Sequence, residues 1–526
     1  KAFNNVLCRQ DIKMLVRDYR SHSKPLDIHM WSNHPEINIL VDKVWHALGA
    51  SRQSNLKPKG NRKGTNPKRL IKVLLAHLYE TFLDDPTLWT GVARSANAYV
   101  PTSRYNSLHI SFKIVQLVDG LVELGYLEFT GGSNNKANDG WSNFTSRVRP
   151  SHILKVEFGK CTAEPWEIFK HKSKIAVILS DFDTDIEGKL IRRRGKRLKP
   201  LVEYEDTDET QRMELMLYAY NSLLHKTYID IATLEKSYIE RETKVGRQRI
   251  AINQNNKFVS RIFSRGSWKN NGWFYGGFWQ QLGKNLRKDI YLNDKPTVEV
   301  DYKGIHPSIL SINKGKAFKG YELNEVILPG LNKEQQTKAL KLLILTALSS
   351  SSEHQAYKAY RASSDLPLNN RELNKLINSF LELNPQFTGE LFNDQIVNLM
   401  YQDSLITEYV IKKFTYRNLP ILTVHDSFIV QYDQVLTLKK YMSEASKAVL
   451  GKQLNYERDF YNYTDTVQFK DIDKGYYNKL MNNPPKVEKT ERYQRSYNKF
   501  RLWIERNNQG KEPYRMVGGW KGQKVE

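Results

Sequence analysis

Two short stretches of the chain change between apolar and polar positions in the period-two manner of strands, and each runs into a carboxylate. In residues 297–309, TVEVDYKGIHPSI, Val298 and Val300 alternate with Glu299, and Asp301 stands where the strand pattern gives way to Gly304 and Pro307. In residues 421–430, ILTVHDSFIV, an apolar run that begins at Leu419 reaches His425 and Asp426 and returns through Ser427, Phe428, Ile429 and Val430. That pattern predicts a hairpin with its acidic residue at the bend. If the hairpin lies beside the first strand, Asp301 and Asp426 converge, and two facing carboxylates resist joint ionisation unless a cation neutralises them. A lone aspartate after a strand is usually a turn residue, so the pairing, and not either residue alone, carries the chemical interest.

Elsewhere the apolar spacing is helical. Leu70, Val73, Leu74, His77 and Leu78 repeat on one face, as do Ile114, Leu117, Val118, Leu121 and Leu124. Gly125 ends the second run, residues 126–130 read as a strand, and residues 144–148 return from a polar loop. Residues 67–150 are therefore expected to form three helices and then a hairpin. The passage VDGLVELGYLEF is similar to the recognition-helix-to-wing passage of winged helices. That resemblance implies DNA contacts at Lys113, at Lys136 in the wing, and at Arg147 or Arg149, although winged helices also serve as protein-interaction modules. Further helices are predicted over residues 37–48, 209–224, 333–352, 400–414 and 436–450, and strands over residues 175–180 and 466–471.

Composition narrows the class. The 526 residues allow two to four domains, and 40% hydrophobic content supplies their cores. A net charge of +24 points to a polyanionic partner, and its spread over several segments favours nucleic acid over a membrane surface. Residues 51–69, 190–199 and the tail from Lys486 are the most basic runs; the first reads equally as a phosphate-following linker or a solvated loop. The tail interleaves Arg492, Arg495, Arg501 and Arg506 with Tyr493, Tyr497 and Trp503, a pattern that suits nucleic-acid binding or a basic helix packed on the core. No apolar run is long enough for a membrane span. Cys8 and Cys161 are too few for a disulfide framework and have no zinc-spaced neighbours, so a reducing, cytoplasmic setting, bacterial or phage-encoded, is expected. There is no signal-like start, and the sequence begins with Lys1 and not Met, which leaves open whether the natural N-terminus is present. The acidic run at Asp181, Asp183, Asp185 and Glu187 lacks the glycine and distant glutamate of a calcium loop and reads as a solvated turn.

DYKGIH resembles the first palm motif of family A DNA polymerases, and VHDSF resembles their third, with HDSF still nearer to single-subunit RNA polymerases of the phage type. The resemblance covers about residues 255–470. It implies an α+β, right-hand architecture with an antiparallel palm and helical fingers, here behind an N-terminal winged helix. It also implies that Asp301 and Asp426 bind Mg2+ or Mn2+ and are catalytic, that His425 lies at the primer end, and that Lys341, Lys338, His306 and Tyr302 contact the nucleoside triphosphate. Nucleic-acid contacts would come from Arg265, Gln280, Gln281 and Arg287, in and after the segment SRGSWKNNGWFYGGFWQQL, and from Gln402 in the helix before the hairpin. His306 and Ser427 stand where the family has glutamates, and Ser349 and Ser350 replace its aromatic-glycine pair, which leaves the choice of sugar open.

The expected organisation is a helical segment and basic linker over 1–66, a winged helix over 67–155, a connecting region over 156–254, palm and fingers over 255–480, and a basic tail over 481–526. The reading is a DNA-directed nucleotidyltransferase, a DNA polymerase of a mobile element, plasmid or phage. A primase or RNA polymerase, or a non-catalytic DNA-binding replication protein, are the alternatives.

Overall fold

The computed structural model describes residues 22–57, 66–134, 143–182, 192–193, 196–197, 200–243, 246–323, 325–459 and 487–508. Lys136, residues 183–187, and the strand expected over 466–471 lie outside them.

The N-terminal unit holds helices α1 (Pro35–Ala47), α2 (Gly49–Leu56), α3 (Lys68–Asp84), α4 (Lys113–Glu123) and α5 (His152–Gly159). Its sheet runs β1 (Ser23–Pro25), β3 (Trp89–Val92), β5 (Ser146–Pro150), β4 (Leu127–Thr130), while β2 (Met30–Ser32) pairs with β6 (Ile168–Lys170). Two expectations change here. The middle of the three helices is replaced by β3, whose Trp89 and Thr90 pair across β1 and β5. The first part of the segment read as a linker is α2, because Leu56 is buried in the core and Arg52 reaches Glu123 on α4 at 2.7 Å. One apolar cluster gathers residues from Met30 to Ile168, so the core includes α1 and α2 as well as the helix-and-hairpin segment.

A second and larger cluster runs from Ala176 to Leu454. Its centre is a six-stranded antiparallel sheet in the order β8 (Ile229–Ile231), β11 (Ile290–Leu292), β12 (Lys295–Tyr302), β14 (Ser427–Gln431), β13 (Ile421–Val424). The sixth strand, β15 (Tyr456–Asp459), pairs with the C-terminal half of β12, so that β12 is flanked on both sides. A three-stranded sheet stands beside it, with β9 (Ser260–Ser264) between β7 (Val177–Leu179) and β10 (Ser267–Tyr275). Helices surround the two sheets: α6 (Asp208–His225), α7 (Ile305–Asn313), α8 (Lys333–Leu348), α9 (Glu353–Ser363), α10 (Asn370–Leu383), α11 (Ile396–Tyr416) and α12 (Val435–Leu450). The chain is thus mixed α and β, its six-stranded sheet antiparallel and the β1–β3 and β7–β9 pairs parallel, and among the described residues no helix is long and apolar enough to cross a membrane.

Polar ties join the units. Asn253 donates to Asp84 at 2.6 Å, Arg249 meets Asp85 at 3.0 Å, and Lys24 pairs with the buried Glu80 beside them. The C-terminal helix α13 (Glu491–Asn508) closes the other side. Arg492 grips the buried carboxylate of Asp230 with two nitrogens at 2.8 and 2.9 Å, and Tyr493 is fully buried against Tyr228 and Tyr291. For these two residues the tail is a packed helix, not a nucleic-acid surface.

Removing the partner of a buried guanidinium–carboxylate pair costs more than the pair contributes, because one charge is left uncompensated. Arg492→Ala, which strands Asp230, is expected to destabilise the large unit by about 3 kcal/mol. A fall in its urea midpoint at unchanged slope would show this, and an unchanged midpoint would contradict it.

Candidate active site

β12 and β14 are antiparallel with Asp301 directly opposite Ser427, and β13 and β14 close on a two-residue turn of His425 and Asp426. Asp426 therefore sits one residue from the position facing Asp301, and the two aspartates occupy the same end of neighbouring strands. His425 holds a positive φ of 57°, a backbone conformation uncommon outside glycine and usually maintained by surrounding contacts.

The period of the strand sorts the side chains. Glu299 and Asp301 share one face of β12 with Ser427, while Val298, Val300 and Tyr302 face the core. Tyr302 is buried and its hydroxyl donates to the Met442 carbonyl at 2.7 Å, which takes it away from any nucleotide. Glu299 is gripped by Arg287 through two bonds of 2.8 and 3.0 Å and accepts the Ser427 hydroxyl at 2.7 Å. Arg287 is consequently a strut of the sheet, and Ser427 is tied to the adjacent strand.

A helix behind the sheet completes the site. Asp403 of α11 is fully buried; one of its oxygens accepts the Trp273 indole N–H at 2.7 Å and lies 3.6 Å from His306 Nε2. His306, on the first turn of α7, stacks on Trp273 at 5.8 Å with rings only 17° apart, and His425 lies 4.7 Å from the same indole. Trp273 is held by α11 in its turn. Arg261 on β9 bonds Glu408 at 2.6 Å and Ser404 at 3.1 Å, and a Cβ at Gly272 would stand 2.7 Å from Ser404 Oγ, so glycine permits this close approach. Sequence reading missed Asp403. Its signal was that a carboxylate at a core-facing position of an amphipathic helix needs a partner.

Burial, followed by the charge of Asp403, pushes the Asp426 carboxyl up to about 6. Burial lowers His425 as well. The Asp426 environment thus disfavours the carboxylate, and a cation between Asp426 and Asp301 would relieve it. Among the described residues no group of three or more His, Cys, Asp and Glu side chains gathers as a metal cage. Two aspartates and substrate oxygens are nevertheless the donor set that suits magnesium.

Lys341 and Lys338 are exposed on α8. Lys341 Nζ lies 5.8 Å from the ring of Tyr321, whose hydroxyl is pushed up by burial and by the charge of Asp426. Tyr321 and Phe318 also cover Gly304, where φ is 48° and a Cβ would approach Phe318 to 3.2 Å. A loop tyrosine thereby lies between the lysine helix and Asp426, a link with no periodic signal in the sequence.

The remaining predicted contacts divide. Gln280 donates to the carbonyls of Phe274 and Thr423 at 2.8 and 3.0 Å and accepts from the Gly276 N–H, so it ties β10 to the hairpin strand β13. Arg265 is paired with Asp394 at 2.8 Å, and Gln402 accepts from Asn313 at 3.2 Å. Gln281 is exposed. In the N-terminal unit Arg147 is 4% exposed, and Arg149 pairs with Glu128 at 2.6 Å while covering Trp89. That burial leaves Arg147 little surface to offer DNA. Lys113, at the start of α4, donates to the Lys57 carbonyl. No family model matches the chain, and no curated protein matches it.

A carboxyl whose native pKa lies above its unfolded value adds a cost to folding as pH rises. The cost is absent below the ordinary value of 3.8, grows as the unfolded chain ionises first, and is complete above about 6. Asp426→Asn in EDTA is therefore expected to stabilise the protein at pH 7.5 by on the order of 2 kcal/mol and to give no gain near pH 4. A gain independent of pH in paired urea melts would contradict the electrostatic account.

Proposed function

We propose that the chain is a template-directed nucleotidyltransferase that extends a 3′ end from nucleoside triphosphates, with DNA as its most direct template and product. The observation that carries this reading is the strand pairing that sets Asp301 of DYKGIH beside Asp426 of VHDSF. Those two motifs resemble the first and third palm motifs of family A polymerases, with HDSF also resembling the phage-type RNA polymerases. A binding module has no physical reason to keep two carboxylates where phosphates must approach.

Asp301 and Asp426 would hold magnesium or manganese. The chemistry supplied by the bound ions is neutralisation of the attacking and leaving oxygens. The chain's own residues position the reactants. Lys341 meets the triphosphate as a point charge, with Lys338 one turn away on the same helix and Tyr321 beneath it. His306 stands by the sugar, held flat against Trp273, and Asp403 orients both. His425 lies by the primer end. Catalysis then derives from orientation and charge neutralisation, with no covalent intermediate. The N-terminal unit, with its β3–β5–β4 hairpin order and α4 beside it, fits a winged helix that sets the polymerase on DNA mainly through phosphate contacts.

A second reading, RNA synthesis, is favoured by one observation. Among the described residues His306 Nε2 is buried without a hydrogen-bond partner, and a ribose hydroxyl would supply one. In the leading version His306 is a weak barrier, worth about 1–3 kcal/mol of sugar discrimination.

Asp301→Ala and Asp426→Ala are each expected to abolish nucleotide incorporation on a labelled primer-template while leaving DNA affinity within about twofold; near-normal extension by either variant would refute the assignment. On one template, dATP should be used about ten to two hundred times better than ATP, with the margin reduced in His306→Ala. A strong ATP preference that His306→Ala abolishes would establish RNA synthesis.

A further inference from the structure

Between β6 of the N-terminal unit and the end of α6 lies a cavity of about 360 Å3 that shares no lining residue with the aspartate site. Among the described residues five lysines line it, Lys170, Lys172, Lys174, Lys226 and Lys257, with His171 and His225, against the single carboxylate of Glu214. That carboxylate is committed, since it accepts the backbone N–H groups of Ala176 and Val177 at 3.1 and 2.7 Å.

The lysines are not equivalent. Lys257 is a buried structural lysine, its charged form disfavoured by burial, that donates to the carbonyls of His225 and Thr227 and to Gln254. Lys170 is paired with Asp27. Lys172 and Lys174 make no ion pair among the described residues, and Lys174 Nζ lies 4.5 Å over the ring of Phe258. Burial, set against the attraction of Asp27, lowers Lys174 to about 8, the response of an ammonium with too little nearby negative charge. The apolar part of the lining is aromatic: Phe169, Phe258 and Tyr218, with Tyr218 45% exposed at the surface.

A concave site with uncompensated ammonium groups on one side and exposed aromatic surface on the other suits a ligand that carries both a phosphate and a flat ring. Its volume is at the lower end of small-ligand pockets, enough for one nucleotide and not for a duplex. We propose that this cavity is a second nucleotide-binding site, in which Lys172 and Lys174 receive the phosphate and Tyr218 the base of a single nucleotide unit. The unit has two sources, a free nucleotide or one residue of a single strand passing between the two units of the protein.

The test uses the full chain in EDTA, which silences metal-dependent binding at the aspartates. Fluorescence anisotropy is read for a labelled thymidine oligomer of about eight nucleotides and for a fluorescent adenosine triphosphate. Lys172→Glu combined with Lys174→Gln is expected to weaken the oligomer about tenfold and to lower its log–log salt slope by about 0.7, the value for one phosphate on a single strand. Weakening of both probes assigns the site to free nucleotides; weakening of the oligomer alone assigns it to a strand. Unchanged affinity for both, in a variant that melts like the parent, overturns the proposal. Tyr218→Ala, a change at an exposed ring, covers the case in which the double variant folds poorly. It should weaken whichever probe binds at least threefold, and full affinity in this variant overturns the proposal equally.

Discussion

The structure of the site depends on one backbone constraint, the antiparallel ladder between β12 and β14. A slip of one residue would turn Asp301 into the core and bring Tyr302 out, because side chains alternate faces. Three features hold the register. Val298, Val300, Phe428 and Val430 fill the core face. On the other face Glu299 is gripped by Arg287 and accepts the Ser427 hydroxyl, a tie that reaches across the strands one step from the aspartates. Behind the hairpin, Gln280 and the Trp279 indole both donate to the Thr423 carbonyl at 3.0 Å. Residues that look like substrate ligands in the sequence are therefore spent on the placement of two carboxylates.

The second layer is set by α11. Asp403, Ser404 and Glu408 lie along one face of this helix and bind Trp273, Arg261 and the close-approaching Gly272. Trp273 in turn carries His306 and His425 on its ring. A buried carboxylate in such a position is costly unless satisfied, and the indole N–H offsets only part of that cost. Its negative charge also raises Asp426, so the same residue that orients the aromatic platform makes a neighbouring cation more favourable.

Much of this was legible in the chain. The strand and hairpin patterns around Asp301 and Asp426, the helix over residues 209–224 and the helix carrying Lys341 are local signals, and local signals survive folding. The alternation of β12 even assigns Tyr302 to the core with Val298 and Val300, although the motif resemblance suggested a nucleotide contact. Other features needed the tertiary structure. Gln280 and Arg265 are polar in a segment rich in glycine and aromatics and Arg287 follows it, and nothing local distinguishes a substrate ligand from a side chain that satisfies a neighbouring backbone or carboxylate. Tyr321 reaches the site from a loop with no periodicity, and Asp403 is disclosed only by the burial of its helix face. In the N-terminal unit, β3 supplants a predicted helix because it completes a sheet whose other strands come from distant parts of the chain.

The central claim is that Asp301 and Asp426 together hold one divalent-cation site. It is tested most directly by electron paramagnetic resonance of Mn2+ bound in the presence of a non-hydrolysable deoxynucleoside triphosphate, comparing the parent with Asp301→Asn and Asp426→Asn. Loss of the bound-manganese signal in each single variant, with folding intact, is the predicted result. Retention of the full signal in either variant would show that the two aspartates do not share a cation and would contradict the account.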